Sequence, residues 1–133
     1  MAEQPEAQHT LELASAALLF EVVRADRELL DAEREKVRTI LTSEFKLSDT
    51  ELDALLFEGE AEAENAVDLV QFTRILTQHH DLPERTAFIE QLWSVAYADD
   101  QLDMYEEHVI RRIADLMHVP HSLYVQAKLK VKP

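Results

Sequence analysis

From Leu11 onward, apolar residues recur in three- and four-residue steps, at Leu11, Ala14, Ala17, Leu18, Val22 and Ala25, the spacing of one helical face. The pattern predicts a helix ending near Asp26. Val37, Ile40, Leu41 and Phe45 restart the rhythm, and Asp31 is placed to cap that second helix. Ser48-Asp49-Thr50-Glu51 has the form of a capping box, in which a hydroxyl and a carboxylate satisfy backbone donors at a helix start, and Leu52, Leu55 and Leu56 follow it. Gly59 is expected near the end of this third helix. The acidic, alanine-rich stretch 58–65 reads as a connector, with Asn65 capping a fourth helix that carries Val67, Val70, Phe72, Ile75 and Leu76.

Asp81-Leu82-Pro83-Glu84 is a second capping box, with Pro83 in the first turn, where its missing N–H costs nothing. It opens a helix bearing Phe88, Leu92, Trp93 and Val95. Val109, Ile110, Ile113, Leu116 and Met117 define another amphipathic helix, which Val119-Pro120 must end, and a last short helix is expected from about Ser122 toward Lys130.

These patterns contain a repeat. Ala25-Asp26-Arg27-Glu28-Leu29-Leu30-Asp31-Ala32-Glu33 returns seventy-three residues later as Ala98-Asp99-Asp100-Gln101-Leu102-Asp103-Met104-Tyr105-Glu106. The same offset aligns Phe20 with Trp93, Val22 with Val95, Val37 with Ile110 and Ile40 with Ile113, so the match runs through the flanking helices. The expected fold is all-α: a compact bundle of about seven helices in two pseudo-symmetric halves, about 8–63 and 81–131, within one domain spanning 1–133. One Gly and four Pro leave little material for hairpin turns, which agrees.

Charge narrows the partners. Twenty-seven acidic against thirteen basic residues give a net charge of −14, which repels phosphate backbones and argues against nucleic acid. The same charge attracts cations and also serves plain solubility. With no Cys there is no disulfide, thiolate metal site or Cys nucleophile. Residues 1–9 lack a secretory pattern and no apolar run is long enough to span a bilayer, so a soluble cytoplasmic protein is expected. No Gly-rich phosphate loop or nucleophile elbow is present, and no enzymatic activity is expected.

The repeat isolates four acids, Asp26, Glu33, Asp99 and Glu106. Hard cations take oxygen ligands, six to eight for Ca²⁺ and six for Mg²⁺, so one turn would hold an ion weakly and two turns brought together would hold it better. Capping is the competing explanation. Asp103-Met104-Tyr105-Glu106 is itself a capping box, and negative charge favours a helix start, so Glu33 and Glu106 have a structural reason to be where they are. Asp26 and Asp99 stand at helix C-termini, the unfavourable end for an acid. Neither turn is a regular EF-hand, since the required Gly is replaced by Asp31 or Met104.

The paired Ala-Asp-x-x-Leu…Glu turns with amphipathic helices on either side resemble the tellurite-resistance TerB family and TerB-like domains, over roughly Leu11 to Val125. The resemblance implies a compact helical domain, an association with tellurite and other chemical stress, and a divalent-cation site. Its acidic positions fall on Asp26, Glu33, Asp99 and Glu106. Ca²⁺, Mg²⁺ or Mn²⁺ is then favoured over Zn²⁺. The small residue that often follows the Asp is replaced by Arg27 and Asp100, which would weaken the first turn and strengthen the second. TerB-like domains are also joined to other modules, including some DnaJ-type co-chaperones. That use favours a protein partner and supports the alternative of an acidic interaction module with no metal requirement.

Other chemistry is thin. The pairs His79 with His80 and His118 with His121 lack zinc-ligand spacing, and Glu6-x-x-His9 is a lone copy where a di-iron site needs two. Trp93, Tyr97 and Tyr105 read as core, and Lys128, Lys130 and Lys132 as a solvated tail.

Overall fold

The computed structural model describes residues 5–25, 31–98 and 102–132. Seven α-helices and no strand occupy them: α1 (Pro5–Ala25), α2 (Asp31–Glu44), α3 (Asp49–Asn65), α4 (Val70–His79), α5 (Leu82–Ala96), α6 (Met104–Leu116) and α7 (His121–Val131). The expected all-α bundle is what the chain forms.

Helix α1 is buried over far more than one face. Residues 14–20 in succession, together with Val22 and Val23, are shielded from solvent, the signature of a helix surrounded by others. It packs against α2, α3, α4, α5 and α6. Helix α5 is its counterpart and buries Phe88, Ile89, Leu92, Trp93, Val95 and Ala96. It packs against α1, α2, α6 and α7. Ser15, a polar residue inside α1, donates its hydroxyl hydrogen to the Leu11 carbonyl at 2.9 Å and so needs no outside partner.

The residues aligned by the repeat are buried alike. Phe20 and Trp93, Val22 and Val95, Val37 and Ile110, and Ile40 and Ile113 all lie in one core. The packing is reciprocal as well: α1 meets α3 as α5 meets α7, and α6 lies on α1 as α2 lies on α5. Helix α4 has no partner in this scheme and fills the space between α1 and α6.

The stretch 58–65 is not a connector. It continues α3, because Glu and Ala are strong helix formers and because Leu52, Leu55, Gly59 and Ala63 make one buried stripe at helical spacing. Gly59 is mid-helix for a packing reason: a Cβ there would meet the Ala16 Cβ at 2.6 Å. Asn65 ends α3 rather than capping α4, and its side-chain amide donates to the Ala61 carbonyl at 2.8 Å. The loop carboxylate of Asp68 instead accepts from the Val70 amide at 2.9 Å, while Val67 is exposed. Asp31 is the first residue of α2 rather than its cap.

Of the three capping boxes expected from sequence, Ser48–Glu51 and Asp81–Glu84 form in full, and at Asp103–Glu106 the Asp103 carboxylate caps the start of α6. Helix α6 ends at the expected place by a Schellman motif. The His118 amide donates to the Asp115 carbonyl at 3.1 Å and the Val119 amide to the Ala114 carbonyl at 2.9 Å, with His118 at φ 57°. The Arg85 guanidinium reaches over from α5 to the Met117 carbonyl and closes that end further.

Candidate functional site

Each acidic segment joins two helices. Helix α1 is described as far as Ala25, the residue before Asp26, and α2 from Asp31. At the second joint the Tyr97 amide donates to the Trp93 carbonyl at 2.9 Å and the Ala98 amide to Val95 at 3.1 Å, which ends α5 just before Asp99. The Asp103 carboxylate accepts from the Tyr105 amide at 2.7 Å and the Glu106 amide at 3.4 Å, and α6 begins. Asp26 and Asp99 themselves lie outside the described residues, as do Arg27 and Asp100.

Glu33 and Glu106 are described, and their surroundings change the weight of the capping explanation. Four helices carry a glutamate at the third helical position: Glu33 in α2, Glu51 in α3, Glu84 in α5 and Glu106 in α6. In the two completed capping boxes the glutamate reaches back to the cap amide from an exposed position. Glu51 accepts from Ser48 at 2.8 Å and Glu84 from Asp81 at 2.9 Å, with the Glu84 side chain 56% exposed. Glu33 and Glu106 are 0% and 1% exposed. Capping needs a glutamate at this position and does not need it buried.

Burying a carboxylate is costly unless charge or hydrogen bonds compensate, and both glutamates are engaged within the molecule at matched positions. Helix capping by itself does not account for the burial of Glu33 and Glu106. Each sits at a helix start, where the positive end of the macrodipole favours an anion, and each belongs to a helix, α2 or α6, that touches both α1 and α5.

Among the described residues, no three acids or histidines gather into a group able to hold a metal ion. Several histidines have other neighbours: His79 Nδ1 lies 2.8 Å from the Ile75 carbonyl, His80 Nδ1 lies 3.9 Å from the Glu84 carboxylate, and His121 stacks on Tyr124. His9 pairs with Glu58 at 3.2 Å across α1 and α3. Trp93 is core, as expected, and Tyr105 is exposed.

Lys128 and Lys130 belong to a helix rather than a free tail, Lys128 partly covered and Lys130 solvated as expected. They lie in α7, where Lys128 pairs with Glu107 at 3.1 Å and stands 5.3 Å from the Trp93 ring centre, and Lys130 pairs with Glu90 at 3.3 Å. No helix among the described residues is long and apolar enough to cross a membrane.

No curated protein and no solved structure matches the chain. A family model does, that of the tellurite resistance protein TerB, over residues 12–129.

Proposed function

The chain belongs to the tellurite-resistance TerB family, and from that premise we propose that it is a non-catalytic stress-response protein that binds a divalent cation through its two acidic joints. Glu33 and Glu106 are the inner ligands or anchors, and Asp26 and Asp99 complete the oxygen set. The observation that carries this reading is the burial of both glutamates at the one position where the repeat makes them equivalent. The reciprocal packing of the helices that bear them supports treating the two joints as one pseudo-symmetric device. An all-carboxylate set favours Ca²⁺, Mg²⁺ or Mn²⁺ over Zn²⁺, which prefers nitrogen and sulfur.

Calorimetry and thermal denaturation with Ca²⁺, Mg²⁺, Mn²⁺ and Zn²⁺ test it. A ligand that binds only the folded state at a hundred times its Kd stabilises by about 2.7 kcal/mol, so a hard cation is expected to raise Tm by several degrees. Glu33→Gln with Glu106→Gln is expected to abolish that rise, with circular dichroism in chelator checking that the fold is retained. Asp26→Asn with Asp99→Asn should weaken binding with the fold intact. No heat and no shift with any ion at millimolar concentration would sink the proposal.

The second reading, a protein-interaction module with no metal requirement, is favoured by exposed apolar residues gathered on one side of the molecule, Met104, Val125 and Leu129. It differs from the sequence expectation in one respect. The surface concerned is basic within an acidic protein.

A further inference from the structure

Helices α6 and α7 enclose a groove of about 490 Å³ that inverts the character of the rest of the chain. Its walls carry the cations Arg111, Lys128 and Lys132 and the apolar side chains Met104, Val125 and Leu129. Glu107 is its one acid, and that acid is already paired with Lys128 at 3.1 Å. Arg111 and Lys132 have no ion-pair partner among the described residues, although acids outnumber bases two to one in the sequence. Met104 is 69% and Leu129 62% exposed, a high exposure for large apolar groups beside a concave surface.

Apolar contact and positive charge in one channel specify the occupant. From these features we infer that the α6–α7 groove docks an acidic, amphipathic helical segment of a partner protein, leucine- or phenylalanine-like side chains lying on Met104, Val125 and Leu129 and carboxylates meeting Arg111 and Lys132. Length agrees with a helix: α7 has 11 residues, which span about 16 Å, or three turns, enough to lie along a helical ligand of similar size. Tyr124 also lines the groove, with its hydroxyl buried beneath the channel and out of a ligand's reach. The inference rests on the interaction-module reading and is independent of the cation reading.

The test uses the full chain and a fluorescein-labelled helical peptide of about three turns, with Leu and Phe on one face and Glu on the other. Anisotropy measures affinity, and amide chemical shifts locate the contact. Binding is expected to shift residues of α6 and α7, to weaken as salt rises, and to drop at least tenfold in Arg111→Glu with Lys132→Glu and again in Leu129→Asn, all exposed positions. Arg74→Glu, on α4, should change nothing.

Equal binding of polyglutamate, a scrambled peptide or a single-stranded oligonucleotide would overturn the proposal by showing charge alone at work. Full displacement by millimolar inorganic phosphate would overturn it in favour of a small-anion site. Self-association abolished by the same charge reversal would overturn it in favour of a second copy. Peptide binding mapped to another face removes the groove and leaves the interaction reading standing, whereas no binding of this peptide or of its basic counterpart removes both.

Discussion

A single missing methyl group sets how closely α1 and α3 approach. In an ordinary helix interior Gly→Ala gains about 0.5–1 kcal/mol, but the Ala Cβ at position 59 would stand 2.6 Å from the Ala16 Cβ and 3.3 Å from its backbone carbon, where overpacking costs about 1–3 kcal/mol. Gly59→Ala is therefore expected to destabilise by about 1–2 kcal/mol in urea denaturation, and Ala16→Gly in the same chain should recover much of the loss. His118 presents the opposite case. It holds the left-handed position of a Schellman motif, which Gly occupies without strain, so His118→Gly should gain about 0.5–1 kcal/mol and His118→Val should lose a similar amount. The four third-position glutamates show how far residue type alone can be read. Their spacing was visible in the sequence, but whether such a glutamate caps in water or sits inside is decided by helices far away along the chain. Glu33 and Glu106 consequently looked like caps.

Elements whose ends are held by local bonds were legible from their residues. Ser48–Glu51 and Asp81–Glu84 form the boxes their sequences spell, and Ser48→Ala or Asp81→Ala is expected to cost about 0.5–2 kcal/mol in thermal or urea unfolding. The Ser48 amide and hydroxyl lower the Glu51 pKa from its ordinary 4.5. A lowered carboxylate supports the fold above 4.5 and loses that support as pH falls through the lowered value. The stability difference between wild type and Glu51→Gln should thus persist at neutral pH and vanish in acid. The end of α3 was not legible, because the stripe that continues it past Leu55 consists of Gly59 and Ala63, small residues whose value lies in close approach rather than in hydrophobic bulk. The α6–α7 groove escaped notice for a related reason. Its two walls come from different helices, and Lys128 reads as a tail residue until the fold sets it against Glu107 and Trp93.

Across the whole molecule, burial and the nearby Glu107 carboxylate push the Tyr124 phenol from its ordinary 10 up to about 12. Between those values an unfolded chain has already given up this proton and the folded one keeps it, so stability falls as pH rises through that window. Tyr124→Phe should flatten the fall, which denaturant titrations at stepped alkaline pH would measure. The same region holds the single tryptophan, fully enclosed, with Tyr124 5.2 Å away, Tyr97 6.1 Å away and the Lys128 ammonium 5.3 Å from its ring. Tyr97 stands at the edge of the second acidic joint and Lys128 on the wall of the groove, so events at either place reach the indole through a different neighbour. Its emission can therefore serve as an optical gauge with two inputs. A shift on adding an ion that survives Lys128→Met would come from the joint, and a shift on adding peptide that survives Tyr97→Leu would come from the groove, both read from unlabelled protein.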